Sequence, residues 1–260
     1  VLYNQGELRR ANELHIQALE IALALGYEES IRWLSTEIAI DHEVAGEWDE
    51  AREMVDELIP GYAQSPFWIE PQTRVCRARM LIAGGDIAAA VVDAERAIEL
   101  TREGRGFQNL CDPRGFRARL HAELGEANDA QRSVVDLMDA WLESRSAYLG
   151  QWLLEAWYAG WHSDEEARVV AATELMPPNP WVAVTASMAG RDFVSAANRL
   201  DEMGAVSSAA LARLWASEWL VESGRRAEAA DFLEQSLRFW RSVGASGYIR
   251  RGESLLAVAS

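Results

Sequence analysis

The chain has 260 residues, 49% of them hydrophobic, and carries a formal charge of −16. That is apolar material for one extended domain or two compact ones. The acidic balance repels phosphate backbones, so direct nucleic-acid binding is not expected, and no run of about 18 apolar residues is available to cross a membrane.

The start lacks the basic, apolar and small-residue succession of a signal peptide. It opens on Val1 and on what reads as the end of a helix, which suggests a piece of a longer protein. Two cysteines, Cys76 and Cys111, lie outside any Cys-x-x-Cys pair; they read as small buried residues of a reducing cytoplasm.

The predicted elements are helices punctuated by one recurring turn. Glycine followed five residues later by alanine marks Gly6/Ala11, Gly46/Ala51, Gly85/Ala90, Gly125/Ala130 and Gly224/Ala229, and the first four glycines are separated by 40, 39 and 40 residues. An acidic residue follows four of the glycines (Glu7, Glu47, Asp86, Glu126), where it favours the positive end of the next helix. Seven residues before the glycine stands another small residue: Ala39, Ala78, Ala118 or Ser217. The pattern predicts helix hairpins whose two arms touch through small side chains. Residues 74–86 and 114–126 match most closely, with Arg74/Arg114, Arg77/Arg117 and Arg79/Arg119 repeated 40 residues apart.

Between 125 and 224 the spacing loosens to 37, 29 and 33 residues, and His162/Ala167 and Arg191/Ala196 fit the turn without its glycine. Residues 65–71 and 104–115 read as inter-repeat loops, and the prolines at 177, 178 and 180 as a bend or subdomain boundary. Residues 1–176 are thus expected to hold the ~40-residue repeats, and 177–260 shorter ones with a C-terminal capping helix.

The Gly–acid–Ala signature resembles tetratricopeptide repeats. The longer period is more like the variant in large bacterial ATP-dependent regulators of the maltose-regulon activator type. The segments AGRDFVSAANRL (189–200), WLVESGRRAEAA (219–230) and FWRSVGASGYIRRGESLLA (239–257) are similar to the C-terminal end of a mostly actinobacterial family. In that family a class III adenylate/guanylate cyclase domain or a DNA-binding domain is joined to an ATPase module and a helical-repeat tail. The resemblance implies an all-α, right-handed superhelical solenoid of about seven antiparallel helix pairs. It further implies a non-catalytic sensor or interaction region binding a protein, peptide or small effector, or upstream domains of its own polypeptide. No phosphate-binding loop or cyclase metal motif occurs, so no cofactor or metal ligand is assigned.

Three residues are candidates for partner contact. By tetratricopeptide geometry, the position six before the turn glycine faces the concave groove; Arg79 and Arg119 occupy it, with Ile40 and Glu218 at the equivalent points. Arginine there can clamp a carboxylate or phosphate, or it can pair with the chain's own acids. Trp33 is either an aromatic anchor in the same groove or a packing residue. His42 and His121, each four residues before a turn glycine, read as hairpin-neck packing. The tryptophans at 141, 152, 157 and 161 leave open an α/α carbohydrate enzyme with a carboxylate pair, but at helical spacing they fit a core. A free-standing peptide-binding scaffold is the other alternative.

Overall fold

The computed structural model describes residues 2–103, 110–146 and 148–259, with side chains through 256. Among the described residues it is all helical. A short 3₁₀ turn (Tyr3–Gln5) leads into α1 (Leu8–Leu25) and α2 (Glu28–Ala45). Hairpins follow in order: α3 (Trp48–Gln64), α4 (Glu70–Gly84), α5 (Ile87–Arg102), α6 (Cys111–Glu123) and α7 (Ala127–Ser144). The shorter α8 (Trp152–Trp161), α9 (Glu166–Thr173), α10 (Pro180–Ala189) and α11 (Phe193–Met203) come next. The chain ends in α12 (Val206–Glu222), α13 (Arg226–Ser242) and α14 (Ser246–Ala259).

The turns form where the glycine spacing puts them. Gly6, Gly46, Gly85, Gly125 and Gly224 take left-handed angles, with φ between 75° and 90°, and reverse the chain in two residues. The small pairs Ala39/Ala51, Ala78/Ala90, Ala118/Ala130 and Ser217/Ala229 are buried at the hairpin necks. Arg191 supplies the left-handed residue at its own turn, as the spacing indicates, and Ala196 is buried. The preceding turn is displaced: Asp164, not His162, is left-handed, and Ala167 is exposed while Val169 enters the core. There Gly160 packs directly on the backbone of Glu165 and Glu166, which shifts the hairpin by two residues.

Both expected loops end in helix: Glu70 and Pro71 of the first already belong to α4. Residues 104–109 lie outside the described residues, but 111–115 form the first turn of α6. Pro113 is accommodated because the first N–H groups of a helix have no intrahelical partner. Gly115 is needed for contact: a Cβ there would stand 2.7 Å from Trp152 Cβ. The prolines before α10 act locally too. Asn179 caps that helix by accepting a hydrogen bond from Trp181 N at 2.8 Å, and Pro180 opens it.

Each even-numbered helix packs on the odd helix that follows it, and α2, α4, α6, α8 and α10 touch in succession. The even helices are the inner layer. Helix α8 is buried from Trp152 to Gly160, and α12 is buried almost all round. The stack does not stay open: α12 lies against α2, and α14 against α4. Small residues permit this closure. Ser207 Oγ donates to the Glu43 carbonyl at 2.5 Å and accepts from Trp48 Nε1 at 2.9 Å. Ser246 Oγ donates to the Gly84 carbonyl at 2.6 Å, and a Cβ on Gly247 would stand 2.7 Å from the Ala83 carbonyl oxygen.

Candidate functional site

The arginine pairs repeated in the sequence repeat in space. Arg74 and Arg77, one turn apart on α4, both grip Asp93 of α5 at 2.7–2.9 Å. Arg114 and Arg117 of α6 approach Asp136 of α7 at 3.3 and 3.0 Å. These ion pairs fasten each inner helix to its outer partner. His42 and His121 clip their turns, with ring Nδ1 against Glu47 and Glu126 respectively.

Arg79 and Arg119 point inward, as the repeat geometry implies, but the interior around them is filled. Arg79 binds Glu155 of α8 through Nε and Nη2 at 2.9 Å, and Asp112 of α6 at 2.7 Å. Arg119 donates to Glu123 at 2.8 Å, to the same Glu155 at 3.0 Å and to the Tyr248 hydroxyl of α14. Arg251, also on α14, closes the cluster: it pairs with Glu218 of α12 at 2.5 Å and lies 3.2 Å from Glu123. The partners of both candidate arginines thus belong to this same chain.

Burial acts on this cluster in opposite directions. Burial raises the Glu123 carboxyl, but the guanidinium groups of Arg119 and Arg251 outweigh it and hold the group below the usual range. Burial pushes Glu43 up to about 7 despite Arg79 nearby, and its Oε2 has no protein partner. Glu43 lines a small cavity of about 10 Å³, shared with Arg79, Arg119, Gln151 and Tyr248. That is room for about one water.

Trp33 is placed differently. It is 39% exposed and lines an open cavity of about 300 Å³ with Tyr3, Leu14, His15, Glu37 and Tyr148. The cavity forms where the N-terminal segment, α1, α2 and the segment before α8 converge. Tyr3 holds it together, stacked between Tyr148 (5.8 Å between ring centres) and Trp181 (5.7 Å). Trp33 Nε1 donates to Glu37 at 3.1 Å, and His15 Nδ1 lies 2.7 Å from Asp41. Burial raises the Glu37 and Asp41 carboxyls. On His15 burial lowers the ring, but the hydrogen bond to Asp41 together with the charges of Asp41 and Glu37 outweighs it and raises the ring. No arginine lines this cavity, and the chain has no lysine: all 25 basic residues are arginine.

The Trp33 neighbourhood was the part least available to sequence reasoning, because Tyr3 and Tyr148 reach it from distant segments. One signal was present: apolar residues on α1 exceed what one packed face needs. Leu14, Ile21 and Leu25 share a stripe and are 39%, 62% and 56% exposed. Of the tryptophans weighed as sugar platforms, Trp141, Trp152 and Trp157 are buried in the core. Cys76 and Cys111 are free and buried. No group of three or more His, Cys, Asp or Glu among the described residues is arranged to hold a metal ion, and no helix there is long and apolar enough to cross a membrane. No protein-family model and no curated protein matches the chain.

Proposed function

We propose that this chain is a non-catalytic interaction module whose binding surface for a protein or peptide is the α1–α2 end. In this reading it is a tetratricopeptide-like, right-handed superhelical solenoid of about seven antiparallel helix pairs, whose last helices fold back against α2 and α4. It serves as the sensor or interaction region of a larger cytoplasmic bacterial signalling or transcriptional regulator. Support for that setting comes from the turn spacing and from the resemblance of residues 189–200, 219–230 and 239–257 to regulator tails.

The observation that carries the binding surface is continuity. The exposed stripe Leu14, Ile21 and Leu25 runs into the cavity at Trp33, and Tyr27 beyond it is 59% exposed. Contiguous exposed apolar side chains beside an aromatic pocket are the usual signature of an interaction surface. The interior is a poorer candidate, since Arg79 and Arg119 already have carboxylate partners there.

A photo-cross-linking residue at Ile21 tests this in cells. Discrete adducts at position 21, absent when the same residue replaces the equally exposed Val92 on α5, are expected. Equal labelling at both positions refutes the assignment.

A further inference from the structure

We propose that the cavity at Trp33 seats one basic side chain, lysine or arginine, of a partner peptide whose apolar residues lie along the α1 stripe. This rests on the reading of the α1–α2 end as the binding surface and names the chemistry of its occupant.

Three features of the cavity point to a cation. The first is its aromatic wall. Trp33, Tyr3 and Tyr148 all line it; Tyr3 is stacked on both faces by Tyr148 and Trp181, so the half-exposed Trp33 ring is the one whose face is offered to a cation. The second is an unneutralised carboxylate. Asp41 has His15 at 2.7 Å, whereas the one side-chain hydrogen bond to Glu37 among the described residues is from the neutral indole N–H of Trp33, and His15 acts on it only through space. Among the described residues no arginine lies within ion-pair distance of Glu37, in a chain where Glu43 apart the buried acids of the inner cluster mostly have guanidinium partners. The third is the absence of a guanidinium or ammonium group: no arginine lines the cavity, no lysine exists in the chain, and the one basic side chain there, His15, is paired with Asp41.

A peptide, rather than a free amine, is the occupant because the cavity does not stand alone. Leu14 belongs both to its lining and to the exposed stripe with Ile21 and Leu25. A helix or extended segment lying on that stripe delivers a basic side chain into the cavity while covering the apolar residues. The volume of about 300 Å³ suits one long side chain and excludes a folded element. The net charge of −16 favours a basic partner at long range.

The test uses the indole N–H resonance of Trp33, identified by its disappearance in Trp33→Phe. The folded chain is titrated with acetyl-Leu-Ala-Ala-Lys-Ala-Ala-Leu-amide, with the same peptide carrying norleucine for lysine, and with tetramethylammonium chloride. The lysine peptide is expected to move the Trp33 resonance and to bind about tenfold more tightly than the norleucine peptide. Glu37→Gln is expected to remove most of that difference, and Trp33→Leu, its affinities read by titration calorimetry, is expected to do the same should the first variant fold poorly. Equal affinity for the lysine and norleucine peptides overturns the proposal, as does an unmoved Trp33 resonance at saturating peptide. Tetramethylammonium binding as tightly as the lysine peptide also overturns it, in favour of a small free cation. If lysine selectivity fails while cross-links at position 21 persist, only the cation is lost; if both fail, the surface itself is wrong.

Discussion

Replacing Glu43 by glutamine tests the electrostatics of the interior most directly. Glu43 is 2% exposed, its Oε2 has no protein partner, and its carboxyl is raised from 4.5 to about 7, chiefly by burial. Between those values the folded chain holds a proton that the unfolded chain has released. Stability therefore falls as pH rises, by about 1.4 kcal/mol per pH unit, or about 3 kcal/mol by pH 7 and above. Glutamine has nearly the same shape as the protonated acid and cannot ionise. Glu43→Gln should therefore match the wild type near pH 4.5, apart from a constant offset, and exceed it by about 3 kcal/mol more at pH 8. Urea unfolding, followed by helix circular dichroism and by tryptophan fluorescence, gives both values; comparing variant with wild type at each pH cancels the other titrating groups. An identical difference at pH 5 and pH 8 refutes the reasoning. A difference of opposite sign would show that Arg79 holds Glu43 as a carboxylate.

Other substitutions probe separate contacts. Arg119→Leu removes a guanidinium shared by Glu123, Glu155 and Tyr248, and should cost about 3–5 kcal/mol in urea unfolding. Gly247→Ala forces α14 away from the Ala83 carbonyl; a loss of about 1–3 kcal/mol is expected, with hydrogen exchange accelerated first in α14 and at the end of α4. His42→Ala removes a clip to a half-exposed glutamate and should cost under about 1 kcal/mol by thermal or urea unfolding. Cation selectivity at Trp33, read from its indole resonance, completes the set.

What could be read from the sequence was whatever lies within one hairpin. A turn glycine and its two small neighbours sit within twelve residues of one another, so their spacing is fixed by helix geometry alone. The histidine clips are of the same kind and recur at the same offset because the hairpin recurs, whereas the carboxylate gripped by the arginine pair shifts from Asp93 in one hairpin to Asp136 in the next, three places beyond the equivalent position. The inward direction of Arg79 and Arg119 was legible for the same reason. Their partners were not, apart from Glu123, one turn along α6 from Arg119. Glu155 stands 76 positions from Arg79, and Tyr248 stands 129 from Arg119, separations that the spacing within one hairpin does not fix. The displaced turn at Asp164 escaped notice because backbone contact between Gly160 and Glu166, rather than a motif, sets its register.

The buried charges account for why the ends meet in one register. Apolar and alanine-rich helix faces tolerate sliding, since a slipped contact buries almost the same area. A buried guanidinium does not tolerate it, because a lost carboxylate leaves a charge unpaired at a cost of several kcal/mol. The three arginines of the cluster come from α4, α6 and α14, and their carboxylates from α6, α8 and α12. No two neighbouring hairpins can satisfy that set; it closes only when the last helices enter the space enclosed by the earlier ones. Closure uses up the inner faces of these hairpins, so among the three residues that the repeat geometry nominates for recognition, Trp33 alone keeps a face toward an open cavity.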